Sequence, residues 1–168
     1  RAAGRVGIDT EFHGERVYHP RLFLVQLAFA DRVVAVDPLA VEDLEPLAKV
    51  LAEPTVETVL HAGEMDLAIF WRRYGVVPAR VFDTQVAAAF VGLPYPASLA
   101  KLVQSVLNVG LAKRQTLSDW SRRPLSEDQV SYALEDVRYL LALRDHLLDG
   151  LDERGRRGWF EVEMAERS

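Results

Sequence analysis

The stretch GIDTEF, residues 7–12, follows an apolar run near the start of the chain and places two acids, Asp9 and Glu11, one residue apart. In a β-strand the side chains at positions i and i+2 share one face, so these carboxylates converge while Thr10 points away. Two carboxylates this close repel each other unless a cation lies between them, and hard oxygen ligands favour Mg²⁺ or Mn²⁺. The alternative is a pair of solvated acids at a strand end, and the short motif taken alone favours that alternative.

The composition indicates a soluble globular chain that fits one domain. The chain has 168 residues, of which 49% are hydrophobic and 27% are charged. It contains no cysteine, which excludes disulfides and thiolate metal sites and agrees with a cytoplasmic location. No apolar run approaches the roughly 18 residues of a membrane span. The net charge of −5 argues weakly against general nucleic-acid binding. Because the first residue is arginine, we expect the chain to be an excerpt of a longer protein.

The apolar pattern predicts an α/β domain. A hairpin is expected first, since only two residues separate the second and third predicted strands. Antiparallel strands followed by alternating strands and helices then predict a mixed sheet with helices on its faces. A capping box of Ser126 and Gln129 predicts the start of a long helix that continues to about Gly150. The predicted strands are residues 5–9, 22–29, 32–37, 56–60 and 81–82, and the other predicted helices are residues 42–51, 64–74, 84–91, 98–107 and 156–168.

A third acid follows the fourth predicted strand. The stretch HAGEMDLAIF, residues 61–70, starts at the sheet edge where ligands bind in open α/β folds. Asp66 lies in the first turn of the next helix. The alternative is that this acid only interacts with the helix dipole and has no further role. Glu64 is a rival acid, but its position fits simple capping better. His61 is either a ligand or, as is more common for a single histidine at a strand end, a hydrogen-bonded packing residue.

A fourth acid lies on the long helix. In YALEDV, residues 132–137, Tyr132 and Asp136 are four residues apart and therefore neighbours on one helix face. A tyrosine–aspartate hydrogen bond explains this pair by itself. Acids from a strand, a helix start and a late helix are, however, the set that a two-metal phosphoryl-transfer site uses. The combination therefore favours a metal site over three unrelated structural roles.

These segments together resemble the DEDD-type 3′–5′ exonucleases of the tyrosine branch, and above all the catalytic domain of ribonuclease D. The signature residues match at DTEF (residues 9–12), HAGEMDLAIF (61–70) and YALEDVRYLLAL (132–143). Further matches make the resemblance run over nearly the whole chain: YHPRLFLVQLA (18–28), FDTQVAAAFVG (82–92), SLAKLV (98–103) and SDWSRRPLSEDQ (118–129). Each motif is short, but their order and spacing are specific.

The resemblance implies a ribonuclease H-like fold in which the first three strands are antiparallel, the others are parallel and helices cover both faces. It implies that residues 1–168 are a single catalytic domain without the helical RNA-binding domains that follow it in ribonuclease D. The implied metal ligands of two divalent cations, Mg²⁺ or Mn²⁺, are Asp9, Glu11, Asp66 and Asp136. Tyr132 would orient the attacking water.

The resemblance also implies the reaction and the substrate. The expected enzyme is a cytoplasmic monomer that shortens single-stranded RNA from its 3′ end, for example the 3′ tails of tRNA precursors or other structured RNA, and releases nucleoside 5′-monophosphates. The implied substrate contacts are Phe12, His61, Lys113 and Gln115.

Two alternatives and one ambiguity follow from the same residues. A DNA exonuclease of the same family is one alternative, although SDWSRRPL favours RNA. A catalytically inactive nucleic-acid-binding module is the other, and the presence of all five signature residues disfavours it. Arg122 and Arg123 precede the capped helix, where they either contact RNA phosphates with Lys113 or pair with nearby acids such as Glu127 and Asp128.

Overall fold

A five-stranded mixed sheet forms the centre of the computed structural model, which describes residues 4–13, 20–41, 43–111 and 119–167. The spatial order of the strands is β3-β2-β1-β4-β5. The first three strands pair antiparallel, whereas β4 pairs parallel with both β1 and β5. The predicted mixed sheet is therefore confirmed. The strands are β1 (Gly4–His13), β2 (Arg21–Ala28), β3 (Val33–Val36), β4 (Val56–Leu60) and β5 (Val81–Asp83).

Seven helices occur in the described ranges, and local capping signals begin or end several of them. The Asp83 side chain accepts hydrogen bonds from the first backbone N–H groups of α3, and Ser126 with Gln129 forms the predicted capping box of α5. Gly75 ends α2 in the left-handed region at φ 64°. The helices are α1 (Glu45–Leu51), α2 (Glu64–Tyr74), α3 (Thr84–Phe90), α4 (Leu99–Leu107), α5 (Glu127–Arg138), α6 (Leu140–Glu153) and α7 (Arg157–Arg167). Among these helices, none combines the length and the apolar character needed to cross a membrane.

Helices cover both faces of the sheet, as predicted. Alternate residues of β1 and β2, such as Ile8 and Leu27, pack with α1 and α2 on one face. The opposite face packs against α3, α4, α6 and α7 through residues such as Val59 and Leu143. Helix α5 lies over β1, β2 and β3 on that same side, where Leu24 packs against Ala133. The alternation of side chains along β1 thus sends neighbouring residues to different helices.

The long helix that the sequence predicts is two helices. Helix α5 ends at Arg138 and α6 begins at Leu140, with Tyr139 between them. Helix α5 packs on β1, β2 and β3, whereas α6 packs on β1, β4 and α3, so the break lets consecutive segments follow different parts of the sheet. The start of α6 lies close to β1 at Gly7. A Cβ atom at Gly7 would be only 3.3 Å from the Leu140 Cβ atom, so the absence of a side chain permits this approach.

The first strand is longer than predicted. It continues past Asp9 to His13 because β2 pairs with it along this whole length. The register shifts between Glu11 and Phe12, which marks a β-bulge or a similar irregularity.

The predicted start of α1 also differs, since the helix begins at Glu45 and Glu42 lies outside the described residues.

Candidate metal and active site

Three acids from two elements meet at the sheet. Asp9 and Glu11 come from β1 and Asp136 comes from α5, and one carboxylate oxygen of each lies within 4.8 Å of the others. All three residues are partly buried. Asp9 pairs with Gln26 and Glu11 pairs with Leu24 in regular register, so both acids project from the face on which α5 lies. The structure therefore brings together three of the four acids that the motifs single out.

The fourth acid is held next to this group by a threonine. Asp66 is only 8% exposed and lies outside the group of three, but its carboxylate accepts a hydrogen bond from the Thr10 hydroxyl. Thr10 does point away from Asp9 and Glu11, as predicted, and this orientation brings it to α2. Sequence reasoning missed its role, because no local pattern indicates which helix covers the far side of a strand.

The start of α2 is fixed by a second aspartate. Besides capping α3, the buried Asp83 accepts hydrogen bonds from the backbone N–H groups of Ala62 and Gly63, each at 3.1 Å. Gly63 has no room for a side chain, since a Cβ atom there would lie 2.6 Å from the Leu60 side chain. These contacts lock the turn before α2 and thereby set where Asp66 meets Thr10.

Burial and mutual repulsion raise the pKa values of Asp9 and Asp66, so that both acids are harder to ionise without a cation. Burial raises the pKa of Asp9 well above its ordinary value of 3.8, and the charges of Asp66, Asp136 and Glu11 raise it further. Burial also raises the pKa of Asp66 to about 6, although the Thr10 hydrogen bond opposes the rise. A divalent cation relieves both effects, and an all-carboxylate donor set is the one that hard cations prefer. The residues present therefore fit a divalent-metal site.

The raised pKa of Asp66 leads to a prediction on metal-free stability. Because the folded chain holds this proton more tightly than the unfolded chain, the neutral form stabilises the fold below about pH 4, and this stabilisation is lost as the pH rises through about 6. In EDTA at pH 7.5, Asp66→Asn should raise the free energy of unfolding by at most about 3 kcal/mol and therefore melt at a higher temperature than the parent. Near pH 4 the variant should have no such advantage. Thermal melts between pH 4 and pH 8 measure this difference. A variant that melts below the parent at pH 7.5 would show that the charged carboxylate stabilises the fold.

Tyr132 lies one turn before Asp136 and packs against aromatic and aliphatic neighbours. Its ring centroid is 6.5 Å from that of Trp120, with the planes tilted by 35°. Phe23 and Leu24 of β2 and Ala133 of α5 belong to the same apolar cluster. The tyrosine ring is thus held by packing on the helix that carries Asp136.

Arg123 has a structural partner that the sequence did not indicate. Its guanidinium forms two hydrogen bonds with Asp37, at 2.6 and 2.7 Å, instead of pairing with Glu127 or Asp128. It also donates to the backbone carbonyls of Phe23, Trp120 and Arg122, at 2.7–2.8 Å. The ion pair holds the pKa of Asp37 below its ordinary value. Arg123 therefore clamps the segment before α5 onto β2 and the end of β3, and this segment carries Trp120. The neighbouring Arg122 is exposed and pairs with Asp119.

The predicted substrate contacts have differing surroundings. Phe12 is partly buried and packs on the apolar core beneath α1 and α2. The two ring nitrogens of His61 each lie 2.9 Å from a protein oxygen, the Thr84 hydroxyl and the Ala97 carbonyl, which is the arrangement of a hydrogen-bonded packing residue. Lys113 and Gln115 lie outside the described residues.

Comparison with known proteins gives consistent matches. A family model described as a 3′–5′ exonuclease matches residues 1–152. Ribonuclease D of Xanthomonas oryzae is 44% identical over 97% of this chain and 45% of its own length. The crystal structure of Escherichia coli RNase D, an exoribonuclease involved in structured RNA processing, superposes with a TM-score of 0.92 at 36% identity and covers 99% of this chain and 44% of that one.

A second group of solved structures covers more of the matched protein. NrnC of Brucella melitensis, solved with bound Mg²⁺, has a TM-score of 0.87 at 27% identity over 98% of this chain and 82% of its own. The same protein has also been solved bound to pGG. The chain spans just under half the length of the curated ribonucleases D that it matches. The predicted ribonuclease H-like fold and ribonuclease D-like character are confirmed, and the chain belongs to the 3′–5′ exonuclease family.

Proposed function

We propose that this domain is a metal-dependent 3′–5′ exoribonuclease that hydrolyses single-stranded RNA from its 3′ end and releases nucleoside 5′-monophosphates. The observation that carries the proposal is the group of Asp9, Glu11 and Asp136 oxygens within 4.8 Å of one another, with Asp66 held beside it by Thr10. Such a group is unfavourable in a folded chain unless a multivalent cation compensates the charge. Two-metal phosphodiester hydrolysis uses this kind of site.

The four acids would hold two divalent cations, Mg²⁺ or Mn²⁺. When bound, the cations would neutralise charge on the scissile phosphate and would lower the pKa of a bound water towards neutral pH. The structure of NrnC with bound Mg²⁺ supports this choice of metal. Thr10 keeps the Asp66 carboxylate oriented, and Asp83 keeps the turn in front of it in place.

Tyr132 positions the attacking water in this proposal. A free phenol has a pKa near 10, so hydrogen bonding by its hydroxyl is a better role at neutral pH than proton abstraction. Its ring is held against Trp120, whose segment Arg123 clamps to the sheet. Ordered packing of this kind limits the motion of the hydroxyl and so serves orientation of the nucleophile.

RNA is the proposed substrate because the curated relatives are named ribonuclease D and the matched Escherichia coli enzyme acts in structured RNA processing. Structured RNA 3′ tails, including those of tRNA precursors, are the proposed natural substrates. Phe12 and His61 are proposed to pack against the terminal nucleotide, and Lys113 and Gln115 are proposed as further substrate contacts. We further propose that residues 1–168 form a single catalytic domain and that the protein is cytoplasmic and monomeric.

One assay tests the proposal and its alternatives. End-labelled RNA and DNA strands of the same sequence are incubated with Mg²⁺, Mn²⁺ or EDTA, and the products are resolved by length. A one-nucleotide ladder from the 3′ end of RNA with either metal, and intact strands in EDTA, is the expected result. Preferential shortening of DNA would favour the DNA exonuclease alternative, and binding without cleavage would favour an inactive module.

A second measurement tests the polarity of attack. A circular RNA should resist hydrolysis completely, because a 3′–5′ exonuclease needs a free 3′ end, whereas a linear strand of the same sequence should be degraded. A linear strand with a 3′-terminal phosphate is the control for end recognition and should be degraded more slowly than the 3′-hydroxyl strand. Equal cleavage of the circular and linear strands would mean that the enzyme is an endonuclease.

A further inference from the structure

A buried glutamine lies on the strand next to the one that carries Asp9 and Glu11. Gln26 lies in the middle of β2 and is 0% exposed. Within the described part of the chain, neither the nitrogen nor the oxygen of its side-chain amide has a hydrogen-bond partner. Buried amides are nearly always paired, because an unmade hydrogen bond leaves the full desolvation penalty of the group. The position of this amide therefore needs an explanation other than packing.

The strand register places Gln26 opposite Asp9. The two residues are Cα partners in the antiparallel ladder of β1 and β2, so their side chains emerge from the same face of the sheet. Residues directly opposite have Cβ atoms about 4.5–5.5 Å apart, a gap that the glutamine and aspartate side chains together can span. On that face the flanking residues of β2 are Leu24 and Ala28, both buried apolar side chains. Gln26 is thus a polar interruption in an otherwise apolar row, and it occurs at the residue paired with a predicted metal ligand.

The chemistry of the two groups is complementary. The Asp9 carboxylate is an acceptor crowded by three other acids, and the Gln26 amide nitrogen offers two donors without adding charge. A neutral donor beside a ligating carboxylate fixes which way its oxygens face and stabilises its ionised form. An apolar residue at the same position would pack equally well but would leave the carboxylate without this support.

On the basis of the proposed function, we propose that Gln26 is a positioning residue that donates a hydrogen bond to the Asp9 carboxylate when the site holds its divalent cations. An amide without another hydrogen bond costs stability unless the Asp9 carboxylate accepts one from it. Gln26 is therefore expected to raise the affinity for the metal without stabilising the metal-free chain. This division separates a positioning role from a structural one. A structural residue would raise the melting temperature of the metal-free chain, whereas Gln26 is expected to lower it or leave it unchanged.

The test is Gln26→Met, which keeps the length of the side chain and removes both polar atoms. In EDTA its melting temperature should equal or exceed that of the parent, because two buried unpaired atoms are gone. Its Kd for Mn²⁺, measured by calorimetric titration, should rise about 10–100-fold, the usual loss when a group that orients a metal ligand is removed. Gln26→Leu is the second variant, in case the methionine disturbs packing.

Thr58→Val is the matched control. The Thr58 hydroxyl is likewise buried and has no hydrogen-bond partner among the residues that the structure describes, but it lies on β4, two strands away from β2. This substitution should leave the metal-free melting temperature unchanged or raised and should not alter the Kd for Mn²⁺. It therefore separates the effect of removing any buried unpaired atom from the effect at the site.

The outcomes separate this inference from the proposed function. A parent chain that binds no Mn²⁺ overturns the proposed metal site and the role of Gln26 with it. A parent that binds Mn²⁺, with both Gln26 variants binding it within about twofold of the parent, overturns only the role of Gln26. A metal-free melting temperature that falls in both variants also overturns it, because Gln26 would then stabilise the empty fold.

Discussion

Asp9→Asn is expected to abolish RNA hydrolysis while the chain stays folded. Asp9 belongs to the acid group, in which one of its carboxylate oxygens lies within 4.8 Å of oxygens of Glu11 and Asp136. The amide keeps the shape of the side chain but removes the charge that a divalent cation needs. Metal ions supply several kcal/mol of transition-state stabilisation in such sites, which corresponds to a rate loss of about 10³-fold or more. Single-turnover hydrolysis of end-labelled RNA in saturating Mg²⁺ measures the loss.

The stability of the same variant should move in the opposite direction. Because Asp9 is repelled by three neighbouring acids, its neutral replacement should raise the melting temperature in EDTA. The control is Asp145→Asn, which neutralises an exposed aspartate paired with Arg5 and Arg144 and should keep parental activity. Parental hydrolysis by Asp9→Asn, or full activity of the parent in EDTA, would contradict the metal site.

Tyr132→Phe should lower kcat by about 10²–10⁴-fold, the usual contribution of a positioned acid–base or orienting group. The phenylalanine ring can keep its place against Trp120, so stability should change little and only the hydroxyl is lost. RNA affinity and the Mn²⁺ titration should stay close to those of the parent, because the proposed role concerns the water and neither the metal nor the strand. A loss confined to the chemical step is the mark of an interaction made in the transition state.

Tyr139→Phe is the control for this substitution. Tyr139 lies between α5 and α6 and packs with the apolar core on the side of α6, away from the cluster that holds Tyr132. Removing its hydroxyl should leave kcat within a few-fold of the parent. If Tyr132→Phe retains parental turnover, Tyr132 is a packing residue and the attacking water must be oriented by another group.

The bounds of some helices and strands could be predicted from the sequence without error, because local residues indicate where these elements begin and end. The strand Val56–Leu60 and the helix Glu64–Tyr74 agree with their predicted bounds, and the predicted capping box of Ser126 and Gln129 is present. The helix signals depend on residues at most four positions apart, and so on interactions that do not require the rest of the chain. The strand was predictable because it is a short, mostly apolar run that ends before Gly63. The acids of DTEF and YALEDV could be singled out for a similar reason, since their spacing is set by strand and helix geometry.

Features that depend on distant residues could not be read in this way. The break at Tyr139 follows from the packing of α5 and α6 on different parts of the sheet, and the extension of β1 to His13 follows from pairing with β2. The Arg123–Asp37 pair joins positions 86 residues apart, although two nearer acids were the obvious partners. In each case the nearest residues in sequence are not the nearest residues in space.

The candidate site shows the same division. The motifs predict which acids belong to it, but only tertiary packing brings the Thr10 hydroxyl to Asp66 and the Gln26 amide to the strand position opposite Asp9. A threonine and a glutamine in strands carry no pattern of their own, because their roles are created by the helix or strand that comes to lie beside them. The sequence determines the chemistry of each side chain, whereas the assembled sheet and helices determine its partner. The physical reason is that the free energy of burying a polar group depends on which other groups lie beside it.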